Sequence, residues 1–331
     1  MERLPVEPTI TDVMKASKFL RNRVRRTPAE YSFALSERAG APVVLKLDNQ
    51  QICGSFKVRG AFYKMFSLSR ETLERGVVTC SSGNHAQGVA KAAAELRAKA
   101  WIYVPDVCPE TKKTAIRRLG GEWVELVVAD GDYDFAEGEA RAFAAERGMT
   151  FISPFEDSDV IAGQGTAGVE FLADEPDIEL LLVPAGGGAL LNGTAIAAAA
   201  LAPKAEVWGV QSEASNPWVV SWDSGRVGGE FTLAPTIADG LAGAIPQSML
   251  SLAKPRVAGI IEVTEREVAA AIAFMHREHH QIVEGAGAVG VAALLAGKAP
   301  INGRRTGIIV SGGNIDEKLL LSILAEYNQP R

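Results

Sequence analysis

Lys57 stands in the run Cys53-Gly-Ser-Phe-Lys57-Val-Arg-Gly-Ala61, a small and mostly apolar setting for an ammonium ion. Desolvation disfavours the charged form, so a lysine held there keeps a free amine suited to carbonyl chemistry, the requirement of a Schiff-base lysine. Alone, the run also fits a surface helix whose lysine buries only its stem. Three other segments add weight. Gly186-Gly187-Gly188 lies between an apolar run and a helical stretch opening near Leu190. Amides at such a turn, together with the positive end of the helix dipole, suit a dianionic phosphate, and glycine lets the backbone approach closely. The spacing is neither a P-loop nor a dinucleotide fingerprint, since leucine stands at 191, and a plain glycine turn is the alternative. Ser81-Ser82-Gly83-Asn84-His85 opens a helix and suits a substrate carboxylate or, without a ligand, an N-cap. Asn84 carries an amide able to donate to a phenolate oxygen, and His85 reads as a structural donor before a general base. Ser311, followed by Gly312-Gly313, offers a hydroxyl where a ring nitrogen could accept from it.

The elements that must position these residues alternate. Short β-branched or apolar runs predict strands over 43–47, 77–80, 100–104, 123–128, 150–152, 180–183, 206–210 and 307–310. Helical patterns fall over 11–21, 57–66, 86–96, 110–119, 133–147, 190–200, 265–279 and 288–295. Such alternation predicts an α/β chain with parallel sheets flanked by helices. Ligands of open parallel sheets bind outside the carboxyl ends of strands, so the loops at 81–85, 186–190 and 311–314 can face one crevice.

Composition bounds the partners. With 331 residues, 47% apolar and 22% charged, the chain reads as a two-lobed globular enzyme. A net charge of −6 argues against nucleic acid or an anionic membrane, and the basic stretch Arg21 to Arg26 reads as a solvated face. Cys53, Cys80 and Cys108 have no paired spacing and read as free thiols of a reducing cytoplasm. Met1 to Pro5 lacks a signal-peptide pattern, and no apolar run reaches membrane-spanning length. His276, His279 and His280 have a spacing that could bind zinc but suit a helix end and solvent better. Trp218 reads as packing, or as a loop residue walling the pocket.

The segments Gly54-Ser-Phe-Lys-Val-Arg-Gly-Ala61, Ser81-Ser-Gly-Asn-His-Ala-Gln-Gly88, Val160-Ile-Ala-Gly-Gln-Gly-Thr166, Gly186-Gly-Gly188, Ala238-Asp-Gly240, Glu284-Gly-Ala-Gly287 and Ser311-Gly-Gly-Asn314 occur in one order over essentially the whole chain. In that order the chain resembles the fold-type II pyridoxal-phosphate enzymes, most of all the threonine/serine dehydratase and serine racemase branch. The resemblance implies a two-domain, tryptophan synthase β-like fold: a large cofactor-binding domain from 1–68 and 154–331, and a small inserted domain from 69–153. It implies pyridoxal 5'-phosphate on Lys57, with Phe56 against its ring, Asn84 on its phenolate oxygen, Gly186, Gly187, Gly188, Ala189 and Leu190 around its phosphate, and Ser311 on its ring nitrogen.

The implied reaction is β-elimination from an L-β-hydroxy amino acid to a 2-oxo acid and ammonia. Lys57 takes the Cα proton and the cofactor phosphate assists hydroxide departure. Ser81, Gly83, Asn84 and His85 would hold the substrate carboxylate, with Asp239 near its amino or β-substituent end. Phe155, where the family has a polar or tyrosine-like residue, favours an apolar or modest side group. Ser82, in place of the dehydratases' usual alanine, admits racemisation with a proton delivered opposite Lys57. A degenerate ligand-binding protein is the reading outside enzymes. No metal is expected, because Glu213 matches the racemases' cation ligand but Val219 stands in place of their aspartate. The phosphate loop has Ala189 where a fourth glycine is usual, and too short a stretch follows Asn314 for the regulatory tail of biosynthetic threonine dehydratases. A homo-oligomer, dimer or tetramer, is expected.

Overall fold

The computed structural model describes residues 7–327, so the reading of Met1 to Pro5 lies outside the described residues. Among the described residues ten strands form two sheets: β1 (Ala29–Tyr31), β2 (Val43–Leu47), β3 (Val77–Cys80), β4 (Ala100–Pro105), β5 (Val124–Ala129), β6 (Thr150–Phe151), β7 (Leu180–Pro184), β8 (Glu206–Ser212), β9 (Gly259–Val263) and β10 (Thr306–Val310). The larger sheet has the order β1-β2-β10-β7-β8-β9 and the smaller the order β5-β4-β3-β6. Every pairing is parallel except that of β1 with β2. The expected α/β class with parallel sheets is therefore present. β1 and β9, the two edge strands of the larger sheet, lie outside the expected strands. One is three residues long and the other is buried only at alternate positions, so neither carries the continuous apolar run of an interior parallel strand.

Parallel pairing places the loops. Val310 is in register with Leu47, and Ile308 with Leu182, so the chain leaves β2, β10 and β7 at one edge of the larger sheet. Ser311 and Gly186 both follow those ends. β3 of the smaller sheet runs directly into Ser81. Apolar side chains fill both faces of the larger sheet, and the core of the smaller one draws in Leu20, Val24, Cys53, Val58 and Phe62 from outside its own strands.

The helix Ser158–Asp174 lies outside the expected helices, and it carries Gly163, Gly165 and Gly168 in its interior, where glycine is unfavourable. Tertiary contact overrides that propensity. A Cβ at Gly163 would lie 2.6 Å from the Cα of Gly60, and one at Gly193 would lie 2.6 Å from the Gly165 nitrogen and the Ile161 oxygen. The glycines thus let this helix touch the helix Lys57–Ser67 on one side and the helix Ala189–Leu201 on the other, backbone to backbone. Asp157 caps its start by accepting from the amides of Asp159 and Val160.

An ionic cluster fixes the same region. Arg59, fully buried, donates to Asp48 at 2.7 Å and to Glu170 at 2.8 Å. Lys46, also fully buried, donates to Glu170 at 3.0 Å and to the Thr27 carbonyl at 2.7 Å. Charges this deep persist only when paired and hydrogen-bonded.

A methyl group at the crowded glycine crossing has nowhere to go without backbone movement. Gly193→Ala is expected to lower stability by about 1–3 kcal/mol. Gly138→Ala, on an exposed helical face with nothing within 4 Å of the added carbon, is expected to raise it by up to about 1 kcal/mol. Urea denaturation reads both, and equal stability of Gly193→Ala and wild type would contradict the crossing.

Candidate active site

Lys57 begins its helix immediately after Phe56, whose amide donates to the Ser311 carbonyl at 3.0 Å. With the bridge between Ser55 and Gly312, that bond fastens the lysine segment to the end of β10. The Lys57 amine is partly buried, donates to the Pro154 carbonyl at 3.0 Å and lies 5.3 Å from the centre of the Phe56 ring. Burial pushes its pKa down to about 8, against an opposing pull from Glu284. Lys46 is also lowered by burial, but it is bonded to Glu170. Of the two lysines that burial lowers, Lys57 is the one whose bonded neighbour is a carbonyl and not a carboxylate.

Ser311 is buried, and its hydroxyl makes only a long contact of 3.4 Å with the Ala286 carbonyl, weak enough for a ring nitrogen to displace. Asn84 opens the helix Asn84–Leu96, two residues earlier than expected. Its amide nitrogen donates to Glu284 at 2.7 Å and its oxygen accepts from Asn314 at 2.7 Å, which leaves the second amide hydrogen for another acceptor. The loops at 81–85 and 311–314 thus meet directly.

Glu284, outside the expected set of site residues, joins the site through Asn84. Burial, and then the Asp239 charge, push its carboxyl up to about 7, while the Asn84 bond and others pull the opposite way. A carboxylate opening the wholly apolar helix Gly285–Leu295 was the signal available in the sequence. His85 is buried with Nε2 on the Ile152 carbonyl at 3.2 Å, and burial pushes its pKa down to about 3, so it stays neutral. Its Nδ1 has no partner among the described residues. Ser81, Ser82 and Gly83 are half-buried between β3 and this helix, and Ser81 Oγ accepts from the Gly83 amide at 3.2 Å.

Gly186 to Gly188 join β7 to the helix Ala189–Leu201, with Gly188 at φ +97° where glycine is favoured. A Cβ at Gly187 would lie 2.3 Å from the Phe155 ring, and one at Gly186 would lie 3.0 Å from the Gly240 carbonyl. Phe155 and the 239–241 turn therefore flank the loop. Phe155 follows Pro154 in a turn fixed by Ser153 Oγ, which accepts from the Phe155 and Glu156 amides. Asp239 is half exposed and ion-paired with Lys112, which joins the 239–241 turn to the helix Glu110–Gly120. Trp218 is on the short helix Pro217–Trp222, not in a loop, and is fully buried behind the glycines, so it is not a wall of the crevice.

Other candidates lie elsewhere. His279 bonds Ser32 Oγ at 2.9 Å, and His280 takes the left-handed position closing its helix. Glu213 accepts from the Glu265 amide at 3.2 Å, and no group of three or more His, Cys, Asp or Glu able to hold a metal occurs among the described residues. No helix among them is long and apolar enough to cross a membrane.

A glycine cradle at a helix N-terminus, a depressed lysine amine and a buried hydroxyl suit a phosphorylated aldehyde with a ring nitrogen. Comparison with known proteins gives the same chemistry. The family model for pyridoxal-phosphate dependent enzymes matches residues 20–312. An L-threonine ammonia-lyase of Thermotoga maritima is 41% identical over 96% of this chain and 78% of its own. An L-threo-3-hydroxyaspartate ammonia-lyase of Saccharomyces cerevisiae is 35% identical over 97% of both chains. The structure of maize serine racemase superposes with a TM-score of 0.89 at 30% identity, covering 98% of each chain. The chain belongs to the family of pyridoxal-phosphate dependent enzymes.

Proposed function

We propose that the protein is an ammonia-lyase that eliminates water from an L-β-hydroxy amino acid such as threonine or serine and then takes up one water as ammonia is released, leaving a 2-oxo acid. The observation that carries this reading is the Lys57 amine, whose bonded neighbour is a neutral carbonyl and whose pKa burial has lowered to about 8. Pyridoxal phosphate supplies, when bound, an electron sink that makes the Cα proton removable. Lys57 is then the base on one face of Cα. Gly186, Gly187, Gly188, Ala189 and Leu190 would hold the phosphate, Asn84 the phenolate edge and Ser311 the ring nitrogen, with Phe56 beside the ring. Amides of Ser81 to His85, at a helix start, would hold the substrate carboxylate. Ser82 is the residue for a proton on the opposite face, so racemisation accompanies elimination as a lesser activity. Two lobes divided near residues 69 and 153 would let the crevice open and close.

Charge at the mouth bears on the substrate. Lys112 is paired with Asp239, Glu284 lies close by, and the Phe155 ring faces the glycine loop. A second substrate carboxylate would meet two acids and a cation already engaged, so uncharged side groups are preferred. The protein is further read as a cytoplasmic homo-oligomer. Phe33 is 81% exposed with Tyr31 edge-on at 4.9 Å, an apolar pair that a second copy would cover, and sedimentation measures this.

Two outcomes test the reading. With cofactor saturating, initial rates of oxo-acid and ammonia release are expected to be at least about tenfold higher for threonine or serine than for 3-hydroxyaspartate, a difference of about 1.4 kcal/mol in barrier. Preference for the dianion would overturn the charge argument, and D-isomer forming faster than oxo acid would make the protein a racemase. In the cofactor-free protein, Lys57 loses its proton as pH rises through about 8, so acetylation at Lys57 should climb over that range. Glu284→Gln removes a charge that favours the ammonium, and the climb should move to lower pH; a move upward would contradict the arrangement.

A further inference from the structure

Three successive glycines give the phosphate loop room but little definition. The peptide between Gly186 and Gly187 has no Cβ on either side, so little steric cost holds it in one orientation. It must be held from outside. The indole N–H of Trp218 donates to the Gly186 carbonyl at 2.5 Å. Carbonyl and N–H of one trans peptide point in opposite directions, and the described residues include no cis peptide. Anchoring the Gly186 oxygen on Trp218 therefore turns the Gly187 N–H away from the indole. Among the described residues that N–H makes no hydrogen bond.

Trp218 is itself well placed to act as an anchor. Its side chain is fully buried, and its own amide donates at 3.0 Å to Gln211, a fully buried residue of β8. The ring also closes the space behind Gly188, where a Cβ would lie 2.8 Å from Trp218 Cζ2. Phenylalanine would fill much of that space but has no donor, whereas the indole nitrogen can only donate.

We propose that Trp218 is a positioning residue for the cofactor phosphate, holding the Gly186–Gly187 peptide so that the Gly187 N–H faces the phosphate. This rests on the assignment of the phosphate to the glycine loop. It also gives a role in binding to a residue the sequence suggested only as packing or as a pocket wall.

The test compares pyridoxal phosphate with pyridoxal, which lacks the phosphate, by absorbance titration of the cofactor-free wild type and Trp218→Phe. The variant should bind pyridoxal phosphate about tenfold more weakly, the cost expected when a buried carbonyl loses its donor. Pyridoxal affinity should stay within about twofold. Unchanged affinity for pyridoxal phosphate, or an equal fall for both ligands, would overturn the proposal. A wild type that does not prefer the phosphorylated ligand would remove the loop assignment and this inference together, whereas a wild-type preference retained in full by the variant removes the inference alone.

Should Trp218→Phe fail to fold, the wild type still decides the matter by NMR of its ¹⁵N-labelled indoles. Of the five tryptophans only Trp218 is fully buried, so its indole proton is the slowest to exchange with solvent. That resonance should shift with pyridoxal phosphate and not with pyridoxal; an identical response to both, or none, would overturn the proposal.

Discussion

A lysine amine stays near neutrality only where water is kept from it and no permanent anion is bonded to it, and most of this architecture serves that condition at Lys57. The amide of Phe56 on the Ser311 carbonyl sets the lysine at the end of β10, and the Pro154 carbonyl is the neighbour it meets. The contrast with Lys46 is instructive. Both amines are depressed by burial, yet Lys46 is bonded to Glu170 and serves structure, while Lys57 has a carbonyl and no acid bonded to it. The nearest acid influence, Glu284, is moderated because burial and Asp239 push its own carboxyl up to about 7.

Keeping the amine in place requires rigid support, which comes from backbone packing and buried charge. The helix carrying Lys57 meets the helix Ser158–Asp174 at Gly60 and Gly163, and Arg59 ties both to Asp48 and Glu170. Glycine allows that approach but surrenders conformational definition, so hydrogen bonds recur wherever glycines cluster. Gln164 Oε1 accepts from the Gly60 amide at 3.1 Å, and Trp218 donates to the Gly186 carbonyl. The same pairing of freedom and restraint joins the fold's core to its site.

What could be read from the sequence was local. The loops at 81–85, 186–190 and 311–314 announce themselves because small polar residues and glycine follow apolar strands, and the order of those strands implied a parallel sheet. What could not be read was partnership. Asn84 and Glu284 are 200 residues apart, and nothing in either neighbourhood requires the other. The helix Ser158–Asp174 was hidden because its glycines, unfavourable in an isolated helix, are needed for contacts with segments about 100 residues before it and 30 after. Trp218 was misplaced for a related reason: its six-residue helix opens with proline after asparagine, a pattern that reads as a turn.

The central claim is that Lys57, and not the other buried lysine, carries the cofactor aldehyde. Borohydride reduction of the cofactor-loaded protein, followed by peptide mapping, tests it most directly. The account predicts a pyridoxyl label on the peptide containing Lys57 and none on Lys46; a label on Lys46, or an unmodified Lys57, would contradict it.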